Sequence, residues 1–223
     1  MNRKIIWRET LIQIAGMVVC LLAVTAAAYL WQAVRKRTIL ITYSISLLLM
    51  FLGAWIIFRG IVRRGYKQNG RLTPLPFFLQ ILAWGLFFAF PCIYNPMDWA
   101  WSQSLDSILG KAGWALVWVG PGAVSGALVW LGVTRPLGQE GRGLESRGPY
   151  CFTRNPQLMG GALLVVGYIL LWPSWYALGR LALFATMAHL MILAEEEYLF
   201  SIYGEEYERY CKRVPRYFGF PKN

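Results

Sequence analysis

The residues with the clearest chemical potential lie in the stretch GPYCFTRNPQLMGG, residues 148–161. Pro149 and Pro156 each fix φ, lack a backbone donor and disfavour helical geometry in the preceding residue, so the stretch is not one continuous helix. Asn155 and Pro156 suit the N-cap and first positions of a following helix. Because a helix N-terminus attracts anions, Arg154 beside it would add a fixed charge for a carboxylate or a phosphate.

A second group of ionisable residues is the acidic run Glu195, Glu196 and Glu197, which directly follows an apolar segment. Such a run ordinarily marks the point where a helix leaves the membrane for water. Glu196, however, lies seven residues after His189, the only histidine of the chain, so the two share a helix face. An ionisable residue within a membrane span is a functional hypothesis, although a lone histidine is more often simply hydrogen-bonded.

The elements that must position these groups are apolar helices. Hydrophobic residues make up 57% of the 223 residues and charged residues only 15%, against about a quarter in soluble domains. A bilayer crossing takes roughly 20 apolar residues, and six such segments, or five, can be drawn. They lie near Leu11–Val34, Ile39–Ile61, Phe77–Tyr94, Ala112–Val133, Gly160–Leu178 and Leu181–Ala194. The composition therefore predicts an all-α integral membrane protein with a tight hairpin around Trp172–Ser174.

Basic residues set the expected orientation in the membrane. With an even number of spans, both termini lie in the cytoplasm together with a basic loop at 59–71 and the segment 135–154. Arg35, Lys36 and Arg37 then fall on the wrong side, which is the main conflict with a first crossing. After Glu195 the composition predicts an amphipathic helix that Gly204 interrupts and Pro215 ends.

Charge and cysteine usage exclude several classes of function. The net charge of +11 comes from short basic clusters that flank the apolar segments, which favours contact with membrane lipids and argues against nucleic acid. The four cysteines are widely spaced and lack a C-x-x-C pair, which argues against structural zinc or a disulfide framework. No metal ligands are predicted, and the chain has no G-x-G-x-x-G sequence.

The order of the C-terminal motifs carries a family resemblance. Gly148-Pro149-Tyr150, Arg154-Asn155-Pro156, Gly160, Glu195-Glu196, Tyr203-Gly204, Tyr207, Tyr210 and Val214-Pro215-Arg216 follow one another over about the last 80 residues. This arrangement resembles the isoprenylcysteine carboxyl methyltransferase family, which is related to the membrane phospholipid methyltransferases. The resemblance divides the chain into N-terminal transmembrane helices, residues 1–134, and a cofactor-binding region, residues 135–223.

The resemblance implies a membrane methyltransferase that uses S-adenosylmethionine without a Rossmann domain and takes a lipophilic or lipidated acceptor from the bilayer. Arg154 would pair with the cofactor's carboxylate or an anionic acceptor, and Glu196 with the ribose or the amino group. These two are the predicted catalytic residues. The predicted cofactor-binding residues are Pro149, Tyr150, Arg154, Asn155, Pro156, Gly160, Glu195, Glu196, Tyr207, Tyr210 and Arg216.

Three positions depart from the related patterns. The family often has R-H-P-x-Y-x-G, whereas this chain has Asn155 for the histidine and Leu158 for the tyrosine. Asparagine cannot carry charge, which rules out proton transfer there, and Leu158 leaves the methyl acceptor open. An NADPH-dependent membrane sterol reductase is an alternative, but that pattern needs a glutamate where Gly161 stands. A non-catalytic membrane scaffold of the same fold is the third hypothesis.

Overall fold

The computed structural model describes residues 39–94, 107–131 and 143–219, with four further positions at 18, 19, 22 and 26. Every regular element in these ranges is helical, and the prediction of an all-α membrane protein is confirmed. The first predicted span, near 11–34, falls outside the described residues apart from those four positions. The chain divides into two compact units, residues 1–98 and 99–223.

The first unit is built on one long helical rod and a second helix. Helix α1, Ile39–Ala54, continues through a wider π-helical segment, Trp55–Val62, into α2, Arg63–Asn69. Gly70 ends the rod in the left-handed conformation, with φ of 62°. Helix α3 follows as Pro74–Tyr94. The basic segment predicted as a loop is therefore helical as far as Asn69, because nothing before Gly70 breaks the helix.

The second unit contains the motif-bearing part of the chain. Its elements are α4, Ile108–Leu131, a 3₁₀ turn, Gly148–Cys151, α5, Pro156–Leu171, α6, Trp175–Tyr203, and α7, Glu205–Arg213. The hairpin between α5 and α6 turns at 172–174, as predicted. The Ser174 hydroxyl caps α6 by accepting from the Ala177 N–H at 3.2 Å.

Helix α6 is longer than the sequence analysis predicted. It begins at Trp175 instead of Leu181 and runs through the acidic residues to Tyr203, beyond the predicted end at Ala194. Arg180 lies within it, buried, with its guanidinium 4.3 Å from the centre of the Tyr168 ring on α5. This cation–π contact stabilises a charge that otherwise argues against a helix in that position.

Among the described residues, three helices are long and apolar enough to cross a membrane: Ile41–Asn69, Ile108–Leu131 and Trp175–Tyr203. Pro74–Ala89 and Pro156–Leu171 are shorter apolar helices. The described residues thus contain five apolar helices, and the sixth crossing stays a prediction. Large apolar side chains also point outward, among them Ile45 and Leu48, which are 53% and 60% exposed. A helix that is apolar on all sides is typical of a membrane span.

Helices α4 and α5 pack backbone to backbone through two pairs of glycines. A Cβ built on Gly120 would lie 2.7 Å from the carbonyl oxygen of Gly160, and a Cβ on Gly160 would lie 2.8 Å from that of Gly120. Gly113 and Gly167 make the same reciprocal contact, with a Cβ on Gly167 only 2.7 Å from the Gly113 carbonyl. Only glycine permits this approach, which is the small-residue mode of helix packing in membranes.

The C-terminal end folds back as a short surface helix. Gly204, with φ of 46°, separates α6 from α7. The first turn of α7 is acidic and its last turn basic, which complements the helix dipole. Tyr207, Tyr210 and Val214 form its buried core cluster. The helix ends at Arg213, before Pro215, as the sequence predicts.

Candidate functional site

The loop before α5 is built by the two prolines. Pro149 stands at the start of the 3₁₀ turn, and Asn155 takes the N-cap position before Pro156, as predicted. The Asn155 side chain, however, makes no capping hydrogen bond. Its Nδ2 donates to the backbone carbonyl of Arg216 at 3.0 Å, while its backbone N–H donates to the Thr153 hydroxyl at 3.2 Å. The asparagine therefore ties the loop to the C-terminal segment.

Three of the predicted residues form one ion cluster: Arg154, Glu196 and Arg216. Arg154 Nη1 lies 2.7 Å from Glu196 Oε1, and Arg216 Nη2 lies 2.6 Å from Glu196 Oε2. Arg216 Nε donates to Oε1 at 3.1 Å, which makes this pair bidentate. The Glu196 carboxylate raises the pKa of Arg216 through these hydrogen bonds. The Arg154, Glu196 and Arg216 side chains are 11%, 9% and 34% exposed, so Arg216 covers the cluster from the solvent side.

The residues after α7 form a C-terminal strap, Val214–Tyr217, that is fastened on both sides. The Arg154 N–H donates to the Pro215 carbonyl at 3.0 Å, and the Thr153 hydroxyl donates to the Arg216 carbonyl at 3.3 Å. The Tyr217 hydroxyl oxygen lies 2.7 Å from His189 Nδ1. His189 is exposed and Glu196 buried, so the histidine contacts the strap and takes no part in the ion cluster.

The predicted tyrosines surround the cluster and connect its elements. Tyr210 donates its hydroxyl to the Tyr150 carbonyl at 2.7 Å, and Tyr150 accepts at its own hydroxyl from Gln157 Nε2, also at 2.7 Å. The Tyr207 ring stands edge-on to Phe200, with centroids 4.8 Å apart. Burial raises the pKa of Tyr207 and of Tyr210 well above the ordinary tyrosine value. Both phenols are therefore neutral near pH 7.

Cys211 is a member of this site that the sequence analysis missed. Arg154 Nη1 donates to its sulfur at 2.7 Å. Burial raises the pKa of the thiol, so the sulfur is neutral near pH 7. The available signal was spacing, because Cys211 lies four residues after Tyr207 and shares its helix face. Thr153 was also missed, since its role depends on where the strap passes.

Glu195 and Gly160 are predicted cofactor-binding residues that take no part in the ion cluster described above. Glu195 precedes Glu196 on α6 but is not one of the residues that pair with the two arginines. Gly160 packs against Gly120 at the α4 contact. Their binding roles stay predictions. In the part of the chain that the structure describes, no group of three or more metal-ligating side chains comes together.

One buried hydrogen-bond donor, in Arg154, favours the presence of a ligand beside the ion cluster. Arg154 Nε is shielded from solvent, and no residue within the described ranges accepts its hydrogen. Buried donors are normally satisfied, because leaving one unpaired costs about 1–3 kcal/mol. A carboxylate placed beside Arg154 would satisfy it. The residues present are thus suited to a carboxylate-bearing ligand.

Comparison with known proteins gives a match to one family. Residues 110–206 match the model of the phospholipid methyltransferase family, a range that includes α4 from Gly110 onward, the loop with Arg154, and Glu196, and ends just before Tyr207. No curated protein and no solved structure matches the chain. The family resemblance recognised in the sequence is confirmed, and from residue 110 to residue 206 this membrane protein matches the phospholipid methyltransferases.

Proposed function

We propose that this protein transfers a methyl group from S-adenosylmethionine to a lipophilic acceptor, and that the ion cluster holds the methyl donor. The observation that carries the proposal is the buried Glu196 carboxylate, shared between Arg154 and Arg216 while Arg154 keeps an unused donor. The match to the phospholipid methyltransferase family supports a membrane methyltransferase. The identity of the methyl donor and the class of acceptor are part of the proposal.

Arg154 is suited to hold the carboxylate of the methyl donor. Its Nη1 is engaged with Glu196 and Cys211, which fixes the plane of the guanidinium and leaves Nε directed elsewhere. A charge-assisted hydrogen bond from Nε would be strong in this buried setting. The neutral Cys211 thiol accepts from Arg154 without adding negative charge, so two guanidinium groups share one carboxylate and the cluster still favours an anionic group.

Glu196 is suited to accept hydrogen bonds from the ribose hydroxyls or the amino group. Each carboxylate oxygen has two acceptor directions. Both arginines engage Oε1, whereas Arg216 alone engages Oε2, so one acceptor direction remains at Oε2. Arg216 is the more exposed of the two arginines and is the one that can give way to a ligand. Glu196 would then remain paired with Arg154.

The tyrosines supply neutral, positioned surfaces. Because Tyr207 and Tyr210 remain protonated, their rings can face a cationic sulfonium without adding charge. Tyr210 also holds the loop at Tyr150, which fixes the distance between the 3₁₀ turn and α7. Asn155 cannot move a proton, so its contribution is to hold the strap.

Methyl transfer depends more on the orientation of the reactants than on the strength of an acid or a base. S-adenosylmethionine, when bound, supplies an activated methyl group for in-line displacement. The protein must hold donor and acceptor in line, which favours rigid anchors such as Arg154. If the acceptor is a carboxylate, charge is neutralised as the bond forms, and a dry site favours that step over the separated ions.

The acceptor class is a lipid, an isoprenylcysteine-type carboxylate or another small hydrophobic molecule. Leu158, where the family often has tyrosine, makes that part of the site more apolar than in the isoprenylcysteine pattern. A sterol-type reductase is disfavoured at Gly161, because a Cβ there would already lie 3.2 Å from the Phe184 ring. A glutamate at that position would require the phenylalanine ring to shift.

Calorimetry on the full chain in detergent tests the methyl donor. We expect heat of binding with S-adenosylmethionine and S-adenosylhomocysteine and none with NADPH. Glu196→Gln should weaken both affinities at least tenfold, whereas Glu206→Gln, an exposed glutamate on α7, should leave them unchanged. Absence of binding by the first two ligands would overturn the proposal.

A second experiment identifies the acceptor. Cells with and without the gene are supplied with labelled methyl donor, and the labelled lipids in their extracts are compared.

A further inference from the structure

The C-terminal strap lies over the ion cluster on its solvent side. From the strap, the Arg216 guanidinium donates to Glu196 Oε1 at 3.1 Å and to Oε2 at 2.6 Å. Glu196 is buried, whereas Arg216 is half-buried. A ligand that approaches Glu196 from the solvent side therefore meets the strap first. It reaches the carboxylate when the strap moves.

The strap belongs to a compact turn, residues 215–219, that is attached to a fixed residue. Val214 is buried in the core cluster of α7, and its N–H donates to the Tyr210 carbonyl at 2.9 Å. Gly219 folds back against the start of the turn, where a Cβ would lie 2.8 Å from Pro215 Cγ. The residues of the turn are half-buried or exposed. Rotation of the backbone next to Val214 would thus carry the turn away as one body and leave the core cluster in place.

Hydrogen bonds from the loop before α5 fasten one side of the strap. The Arg154 N–H donates to the Pro215 carbonyl at 3.0 Å. The Arg216 carbonyl accepts from Asn155 at 3.0 Å and from Thr153 at 3.3 Å. These bonds end on backbone carbonyls of the strap, so all of them break when the turn rotates away. Exchange of the Arg154 amide hydrogen therefore reports opening of the strap.

Side chains of the strap fasten its other side to α6. Arg216 holds Glu196, and the Tyr217 hydroxyl oxygen lies 2.7 Å from His189 Nδ1. His189 and Glu196 are seven residues apart, or roughly 10 Å along the helix axis. Tyr217 is 40% exposed and His189 is exposed as well. Exposed hydrogen bonds belong to the least stable parts of a fold, so opening of the strap begins at this contact.

We propose that the strap is a gate over the ion cluster and that the contact between Tyr217 and His189 is the latch that keeps the gate closed. After the latch breaks, the gate opens by rotation next to Val214, admits a carboxylate-bearing ligand to Arg154 and closes over it. His189 and Tyr217 are positioning residues, because they act on the cluster through Arg216. That the ligand is the methyl donor rests on the proposed function, whereas the gate and the latch do not.

Hydrogen exchange of the ligand-free full chain in detergent tests the latch. Mass spectrometry with fragmentation isolates the Arg154 amide, and its exchange rate measures how often the strap opens. Tyr217→Phe removes only the hydroxyl and should raise this rate about fivefold, as expected for the loss of one hydrogen bond. His189→Ala should have the same effect. The double variant should exchange no faster than either single variant, because both changes remove the same contact.

Thr186→Val is the matched control for the latch. It removes a hydroxyl from the same helix, one that donates to the Ala182 carbonyl at 2.9 Å and not to the strap. The exchange rate of the Arg154 amide should stay unchanged in this variant. Unchanged exchange in Tyr217→Phe, equal acceleration in Thr186→Val, or additive acceleration in the double variant would overturn the proposal.

Binding kinetics of S-adenosylhomocysteine test whether the same opening admits the ligand. In Tyr217→Phe, the association and dissociation rates should both rise about fivefold, while the dissociation constant changes less than about twofold. The latch lies beyond Arg216, so its loss changes how often the strap opens without changing the ion cluster. A weaker affinity with an unchanged association rate would overturn the gate, because Tyr217 would then contact the ligand. Absence of binding in the unaltered protein would overturn the proposed function instead, and hydrogen exchange would still decide whether the latch holds the strap.

Discussion

The Asn155 side-chain amide donates to the Arg216 backbone carbonyl at 3.0 Å, which joins two residues 61 positions apart. The same carbonyl accepts from Thr153, and the Arg216 side chain holds Glu196. Asn155 therefore acts on the ion cluster through the strap. We regard it as a positioning residue, in a place where the related family often has histidine.

Asn155→Ala should weaken binding of S-adenosylhomocysteine about fivefold, since one hydrogen bond contributes about 1 kcal/mol. Asn155→His should recover most of this loss, because a ring N–H can donate to the same carbonyl. Asn69→Ala is a matched control, as it also removes an amide donor to a backbone carbonyl, at Gly65. Calorimetry gives the affinities. Equal affinities in all four proteins would contradict the positioning role.

Glu196→Ala should lower the free energy of unfolding by about 3–5 kcal/mol, because it leaves the buried Arg154 without its partner. Most of this effect belongs to Arg154, since Arg216 is partly exposed and solvent screens its share. Glu205→Ala removes an exposed pair with Arg209 and should change stability by less than about 1 kcal/mol. Thermal unfolding in detergent compares the two variants. Similar melting temperatures for both would mean that the cluster is not stabilising.

Gly120→Ala should destabilise the protein by about 1–3 kcal/mol, because the new methyl group would meet the Gly160 backbone on α5. Gly122→Ala is the control, two residues further along α4, where a Cβ meets no atom within 4 Å. Alanine favours a helix over glycine by about 1 kcal/mol, so this control should be neutral or stabilising. Equal melting temperatures for the two variants would contradict the close contact between α4 and α5.

Cys211 should react slowly with maleimide at pH 8. Its raised pKa means that less thiolate is present at any given pH than for a free cysteine, whose pKa is about 8.5. The rate should increase with pH and reach its midpoint above that of cysteine in an unfolded, uncharged peptide. Peptide mass spectrometry assigns the labelled residue. A midpoint at or below the reference would show that burial does not control this thiol.

Much of the site could be predicted because its parts are marked by residue type and order. The prolines define the loop, and Arg154, Glu196 and Arg216 stand in three separate motifs that the fold brings to one point. Cys211 could not be found in this way, since its role follows from the side of α7 that faces Arg154. The start of α6 was misplaced because the cost of Arg180 in an apolar helix is offset by Tyr168, on another helix.

The four glycines between α4 and α5 limit how the protein can be divided. A fragment that begins at residue 135 would keep every motif of the site but lose α4. The side of α5 that carries Gly160 and Gly167 would then be exposed to lipid. Acyl chains fit poorly against such a surface, so the isolated fragment would aggregate or dimerise through it. The smallest fragment suitable for independent expression therefore begins before Ile108, well upstream of the first motif residue.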